Sequence, residues 1–176
     1  NGALYVVGQA LNGSLTRSVG VVMRLDPDTG DADWIKYWYP TTNRLQYTDA
    51  SNFMAVDVGN GIVFVTGHVA DYATGRQGPA VVAFDAATGN LLWSKLLVPQ
   101  GTGGTAHRGH SIRWAGNGNL YVAGLDYSGA NKGPFIAKLS GVDASGSAVA
   151  VAWAESLTGE VSGSNFNSMD VDADGN

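Results

Sequence analysis

Apolar residues along the chain alternate with polar ones or run unbroken for a few positions, and no stretch keeps a 3.6-residue period over three turns. The segments "ALYVVG" (3–8), "VVMRLD" (21–26), "IVFVTG" (62–67), "AVVAFD" (80–85) and "LYVAG" (120–124) are rich in β-branched and aromatic residues. Gly, Asn and Asp bound them. These are strand signals, and together they predict an all-β chain.

The pattern also repeats. "MAVDVGNGIVFVTG" (Met54 to Gly67) returns as "SIRWAGNGNLYVAG" (Ser111 to Gly124) and begins again as "MDVDADGN" (Met169 to Asn176). Its second half opens the chain as "NGALYVVG" (Asn1 to Gly8). A second element follows each copy: "GVVMRLDPDTGDADWIKYW" (20–38), "AVVAFDAATGNLLWSKLL" (80–97) and, with a longer turn, "PFIAKLSGVDASGSAVAVAWAESL" (134–157). The units are roughly 57 residues long and span about 1–53, 54–110 and 111–168, with a fourth starting at 169–176.

Each unit reads as four antiparallel strands. A short first strand and a Gly/Asn/Asp turn lead to an alternating second strand that ends at Gly8, Gly67 or Gly124. A loop of about ten residues leads to the third strand, and a D-x-x-T-G turn to the fourth. Asp26 and Asp85 precede that turn, where their carboxylates can accept backbone N–H bonds. Trp34, Trp93 and Trp153 recur in the fourth strand, and each can bury on the order of 200 Å² as filling between units.

Four-stranded antiparallel units of this length are the mark of β-propeller blades. "VDVGNGIVFVTG" and "VDADGN" resemble the bacterial-type β-propeller repeat, V-D-x-x-G-N-x-Y-V-x-G, and "AFDAATGNLLW" resembles the quinoprotein-type repeat, A-x-D-x-x-T-G-x-x-x-W. The third copy departs from both, with Trp114 in the place of Asp57 and Ser140 in place of the strand-end aspartate. The resemblance implies about three blades of a propeller, and a β-sandwich is the alternative fold. Three blades do not close a ring. The expected completion is the remaining blades of a longer chain or other copies, the latter by pairing "MDVDADGN" with a neighbour's "NGALYVVG" edge.

Composition narrows the partners. Of 176 residues, 44% are hydrophobic and 14% charged, which excludes a disordered chain. The net charge is −5 and no basic cluster exists, which argues against nucleic acid. No apolar run reaches the roughly 20 residues of a membrane span. Without cysteine there is no disulfide, thiolate site or cysteine nucleophile. The chain has no initiating Met and no signal peptide, and reads as an internal piece of a longer or processed protein.

In a propeller the loops sort by face. The long, varied ones are 9–18, 68–78, 125–133, 41–52, 100–110 and 158–168, all on one face. The short hairpin turns on the other face repeat almost as copies, so recognition is expected on the long-loop face. There Arg44, Tyr47 and Asp49 of "NRLQYTD" and His107, Arg108 and His110 of "TAHRGH" form the candidate polar patch. Asn12 opens the glycosylation sequon "NGS". Asp170, Asp172 and Asp174 match the opening of a calcium loop, although the internal copies make the same bend without three aspartates. No G-x-S-x-G, H-E-x-x-H or phosphate loop occurs, and the only glutamates are Glu155 and Glu160.

The expectation is a non-enzymatic, extracellular or cell-surface scaffold that binds proteins or glycans. A fragment of a quinoprotein-like oxidoreductase and a carbohydrate-active propeller enzyme are the alternatives.

Overall fold

The computed structural model describes residues 2–11, 18–39, 50–71, 76–97, 108–126, 133–157 and 165–172. Among them the chain is all-β, with no helix. Eleven strands form three separate antiparallel sheets. The first holds β1 (Leu4–Leu11), β2 (Ser18–Leu25) and β3 (Ala32–Trp38). The second holds β4 (Ala50–Gly59), β5 (Ile62–Asp71), β6 (Arg76–Asp85) and β7 (Leu91–Leu96). The third holds β8 (Arg108–Gly116), β9 (Asn119–Asp126), β10 (Gly133–Ser140) and β11 (Ala150–Ser156). Within each sheet, sequence neighbours are ladder neighbours, so each repeat is one meander.

The turns follow their residues. Asn60–Gly61 and Asn117–Gly118 both sit at positive φ, the backbone that a two-residue hairpin needs. In the third-to-fourth-strand turn, Asp26 Oδ1 accepts from the Asp28 and Thr29 amides at 2.8 and 3.1 Å. Asp85 Oδ1 accepts from the Ala87 and Thr88 amides and the Thr88 hydroxyl. Those bonds, the Thr88 hydroxyl first, hold the Asp85 carboxyl below its ordinary range. The third copy, which lost its strand-end aspartate at Ser140, restores the device later in its longer turn. Asp143 Oδ1 accepts from Ser145 and Gly146 and is likewise held low, chiefly by Ser145.

Two expectations are corrected. Strands run on past Gly8, Gly67 and Gly124 to Leu11, Asp71 and Asp126, so these glycines lie inside strands rather than at their ends. The ten-residue loops shrink accordingly, because the β5–β6 ladder continues to the pair Asp71–Arg76. Gly67 and Gly124 face a bulge in the preceding strand, at Phe53/Ala55 and at Gly109/Ser111. A Cβ at either would strike the Asn52 or Arg108 carbonyl oxygen.

The sheets pack face to face through two cores. Val22 and Trp38 of the first sheet meet Phe53, Val63, Val65, Val82 and Phe84 of the second. The opposite face of the second sheet, with Ile62, Phe64, Val81 and Ala83, meets Ile112, Leu120, Val122, Ala137 and Leu139 of the third. The middle sheet is thus buried on both faces, which explains why "IVFV" and "AVVAF" read as unbroken apolar runs. Three sheets in series also differ from the two facing sheets of a sandwich.

Candidate functional site

Every hairpin turn just described lies at one edge of the stacked sheets, and that edge is occupied by the seams between units. Trp34 of the first unit lies over Gly89 in the turn of the second, and its Nε1 donates to the Ala86 carbonyl at 3.4 Å. Trp93 of the second unit repeats the contact over Gly146 of the third, with Nε1 donating to the Asp143 carbonyl at 2.8 Å. Each tryptophan leans on an aromatic ring of its own second strand. The pairs are Tyr5–Trp34, Phe64–Trp93 and Tyr121–Trp153, with centroids 6.1, 6.2 and 6.1 Å apart. Trp153 is 39% exposed.

The departure at Trp114 is also a seam contact. The Asp57 carboxylate accepts the Trp114 backbone N–H at 2.7 Å, one unit along. The Trp114 ring lies on Gly59 and stacks on Phe64 at 5.3 Å and 17°. Asp57 thus binds the main chain at the equivalent position of the next unit, while the tryptophan ring there covers Gly59 and Phe64.

At the opposite edge stand the strand ends that flank the unrepeated segments. Of the polar patch expected there, Arg108 and His110 stand at the start of β8. Arg44, Tyr47, Asp49 and His107 lie outside the described residues, as does Asn12. Gly109 packs on Thr66, whose buried hydroxyl donates to the Ala80 carbonyl at 2.8 Å. Two residues beyond Thr66 comes His68, paired in the ladder with Asn52. His110 Nδ1 is 3.4 Å from Asn165 Nδ2. Its Nε2 is buried with no hydrogen-bond partner among the described residues. Burial pushes the His110 pKa below its ordinary 6.5, helped by the Arg108 charge and opposed by the Asn167 side chain, an acceptor for the charged ring. Sequence reasoning missed Asn165 and Asn167 as partners of this ring. Their only signal was proximity to the start of the fourth copy.

The sign of that shift gives a test. Between the folded pKa and 6.5 the unfolded chain binds the proton more readily, so this part of the stability is complete above pH 6.5 and falls as pH drops below it. Urea unfolding at stepped pH is expected to show wild type losing more stability than His110→Gln below pH 6.5, and the two running parallel above it. An NMR titration should place the His110 midpoint under 6.5.

At the chain's far end, residues 165–172 form no strand and lie along β8. The Met169 amide donates to Ser111 Oγ at 3.1 Å, and the Phe166 amide to the Gly124 carbonyl at 3.3 Å. Of the three aspartates matched to a calcium loop, Asp170 Oδ1 accepts from the Val171 amide and from Arg113 Nε at 3.4 Å. Asp172 is exposed, and Asp174 lies outside the described residues. Among the described residues no group of three or more His, Asp or Glu is placed to hold a metal ion. No helix there is long and apolar enough to cross a membrane.

No family model matches the chain, and a search of curated proteins finds no match. Among solved structures, BamB from Moraxella catarrhalis is similar at 13% identity over 88% of this chain and 51% of that one, with a TM-score of 0.25. The chain spans about half the length of that protein.

Proposed function

We propose that the chain is a non-enzymatic scaffold of propeller blades, extracellular or on a cell surface, that binds a protein or glycan through its long-loop edge. The observation that carries this reading is the unequal use of the two edges. One is committed to the unit-to-unit seams, where the Asp85 and Asp143 turns receive Trp34 and Trp93. Among the described residues the other holds strand ends that do not repeat, and of these Arg108, exposed at the head of β8, supplies a cation suited to carboxylate or hydroxyl groups. Varied segments on a fixed framework are where recognition collects.

A glycan array followed by calorimetry tests it. Wild type is expected to bind a defined glycan class without turnover, and Arg108→Ala to weaken that binding at least about tenfold. Cleavage of the bound glycan would replace this reading with a carbohydrate-active enzyme. A quinone absorbance with calcium-dependent, dye-linked dehydrogenase activity would replace it with an oxidoreductase.

A further inference from the structure

β4 and β8 each carry one residue outside the ladder. In β4 the pairing passes from Phe53 to Ala55, and in β8 from Gly109 to Ser111. Met54 and His110 are therefore the extra residues of two equivalent bulges. A bulge re-aims the side chain that it leaves unpaired. At Met54 that side chain never changes its charge. At His110 it changes charge within the range of about pH 5 to 8.

The His110 ring meets the start of the fourth copy. Its Nδ1 lies 3.4 Å from the Asn165 side-chain nitrogen. A neutral ring can accept there, whereas an imidazolium carries N–H on both nitrogens and cannot. Nε2 is buried without a hydrogen-bond partner, so a charge gains no acceptor on that side. Arg108 adds a like charge, and only the Asn167 side chain favours the charged ring. The other charged or titratable groups with described side chains on the surrounding elements are Arg113 on β8, His68 on β5, Asp57 on β4, and Asp170 and Asp172. Asp57 is bound to the Trp114 amide and Asp170 to Arg113. Among the described residues no carboxylate pairs with the ring.

The bonds that hold residues 165–172 on the third unit surround this ring. The Phe166 amide reaches the Gly124 carbonyl at 3.3 Å, and the Met169 amide reaches Ser111 Oγ, beside His110, at 3.1 Å. Both are longer than the common value of about 2.9 Å. The Arg113–Asp170 pair, at 3.4 Å, is solvent-exposed on the aspartate side and adds little. The seam between the first and second units is built otherwise. Apolar side chains and the Tyr5–Trp34 pair close it, with no histidine among the described residues there.

We infer that His110 is an acid-released latch on the seam between the third unit and residues 165–172. While the ring is neutral it accepts from Asn165 and the seam is closed. When it takes up a proton that contact is lost, and residues 165–172 lift from β8 while the first two units stay joined. Lifting returns the ring to water, where it binds its proton at the ordinary 6.5. The folded value lies below that, so the latch is fully closed above pH 6.5 and loosens as pH falls beneath it. The proton-linked loss of stability thereby falls on one seam and not on the whole fold. Every contact of the latch lies among residues 108–124 and 165–170. It stands apart from what the long-loop edge binds.

Hydrogen exchange followed by NMR on the full chain at about pH 7 and about pH 5.5, corrected for the intrinsic pH dependence of exchange, tests it. In wild type the Phe166 and Met169 amides are expected to lose about fivefold in protection at the lower pH. The Trp34 indole N–H, which reports the first seam through the Ala86 carbonyl, should keep its protection. His68→Gln should lose protection at Phe166 and Met169 as wild type does. His110→Gln, which takes up no proton, should lose none. Asn165→Ala, without the amide that the neutral ring accepts, should start less protected at pH 7 and respond less to acid. Equal protection at both pH values in wild type overturns the inference, as does a loss that persists in His110→Gln. A loss shared equally by the Trp34 indole also overturns it, since the whole fold is then opening. So does an absence of protection at pH 7, which would mean that the latch is never closed.

Discussion

Gly67→Ala and Gly124→Ala should each cost about 3 kcal/mol or more of stability in urea unfolding, while Gly8→Ala changes it by less than about 0.5 kcal/mol. The three glycines hold one position in the repeat, so propensity predicts one effect for all three. The structure predicts two. At Gly67 and Gly124 the obstacle is a backbone carbonyl, of Asn52 and of Arg108, well inside the 3.0 Å that real Cβ atoms keep. Backbone cannot rotate away as the end of a side chain can. The ladders β4–β5 and β8–β9 would have to part at the bulge, where Phe53, only 2% exposed, fills the space over Gly20. Equal losses at all three positions would mean that glycine matters there for strand flexibility and not for the neighbouring carbonyl.

The same position shows how much of the fold can be read from the sequence. Strand identity and order are legible, because alternation and β-branched runs report burial directly. The turns are legible as well, since Asn60–Gly61 and the Asp85 turn depend on bonds within a few residues. A recurrent glycine is legible as a constraint but not as to its cause. Gly67 reads as a strand end because glycine usually breaks strands, whereas the cause is a bulge about fifteen residues earlier. Asp143 escapes for the opposite reason: the third turn is longer, so the carboxylate moves while its bonding stays the same.

The seams were legible only in part. Three recurrent tryptophans suggest filling between units, but not that Trp34 and Trp93 lie on the next unit's turn glycine. Trp114 in the place of Asp57 looks like decay of the repeat when the copies are aligned. In space the two residues touch, and a contact between residue i of one unit and residue i of the next leaves no periodic signal. The candidate site is the least legible. Position alone points to Arg108 and His110, and the depressed His110 pKa depends on burial that no local pattern encodes.

Phe64→Ala should be the most damaging side-chain truncation, at about 4 kcal/mol. Phe64 is fully buried in the middle sheet and touches both kinds of seam aromatic. It supports Trp93, which reaches the third unit's turn, and it is stacked on by Trp114, which comes from the third unit's first strand. Truncation therefore opens a cavity and unseats two tryptophans that join the second sheet to the third. Phe64→Leu keeps most of the volume and should cost about 1.5 kcal/mol, the remainder reflecting ring contacts that an aliphatic side chain cannot make. A double-mutant cycle of Phe64→Leu with Trp114→Leu isolates the stacked pair, with a coupling of about 1 kcal/mol expected. Additivity within about 0.3 kcal/mol would show that the two rings contribute area alone, and that the seam is held by burial and not by ring geometry.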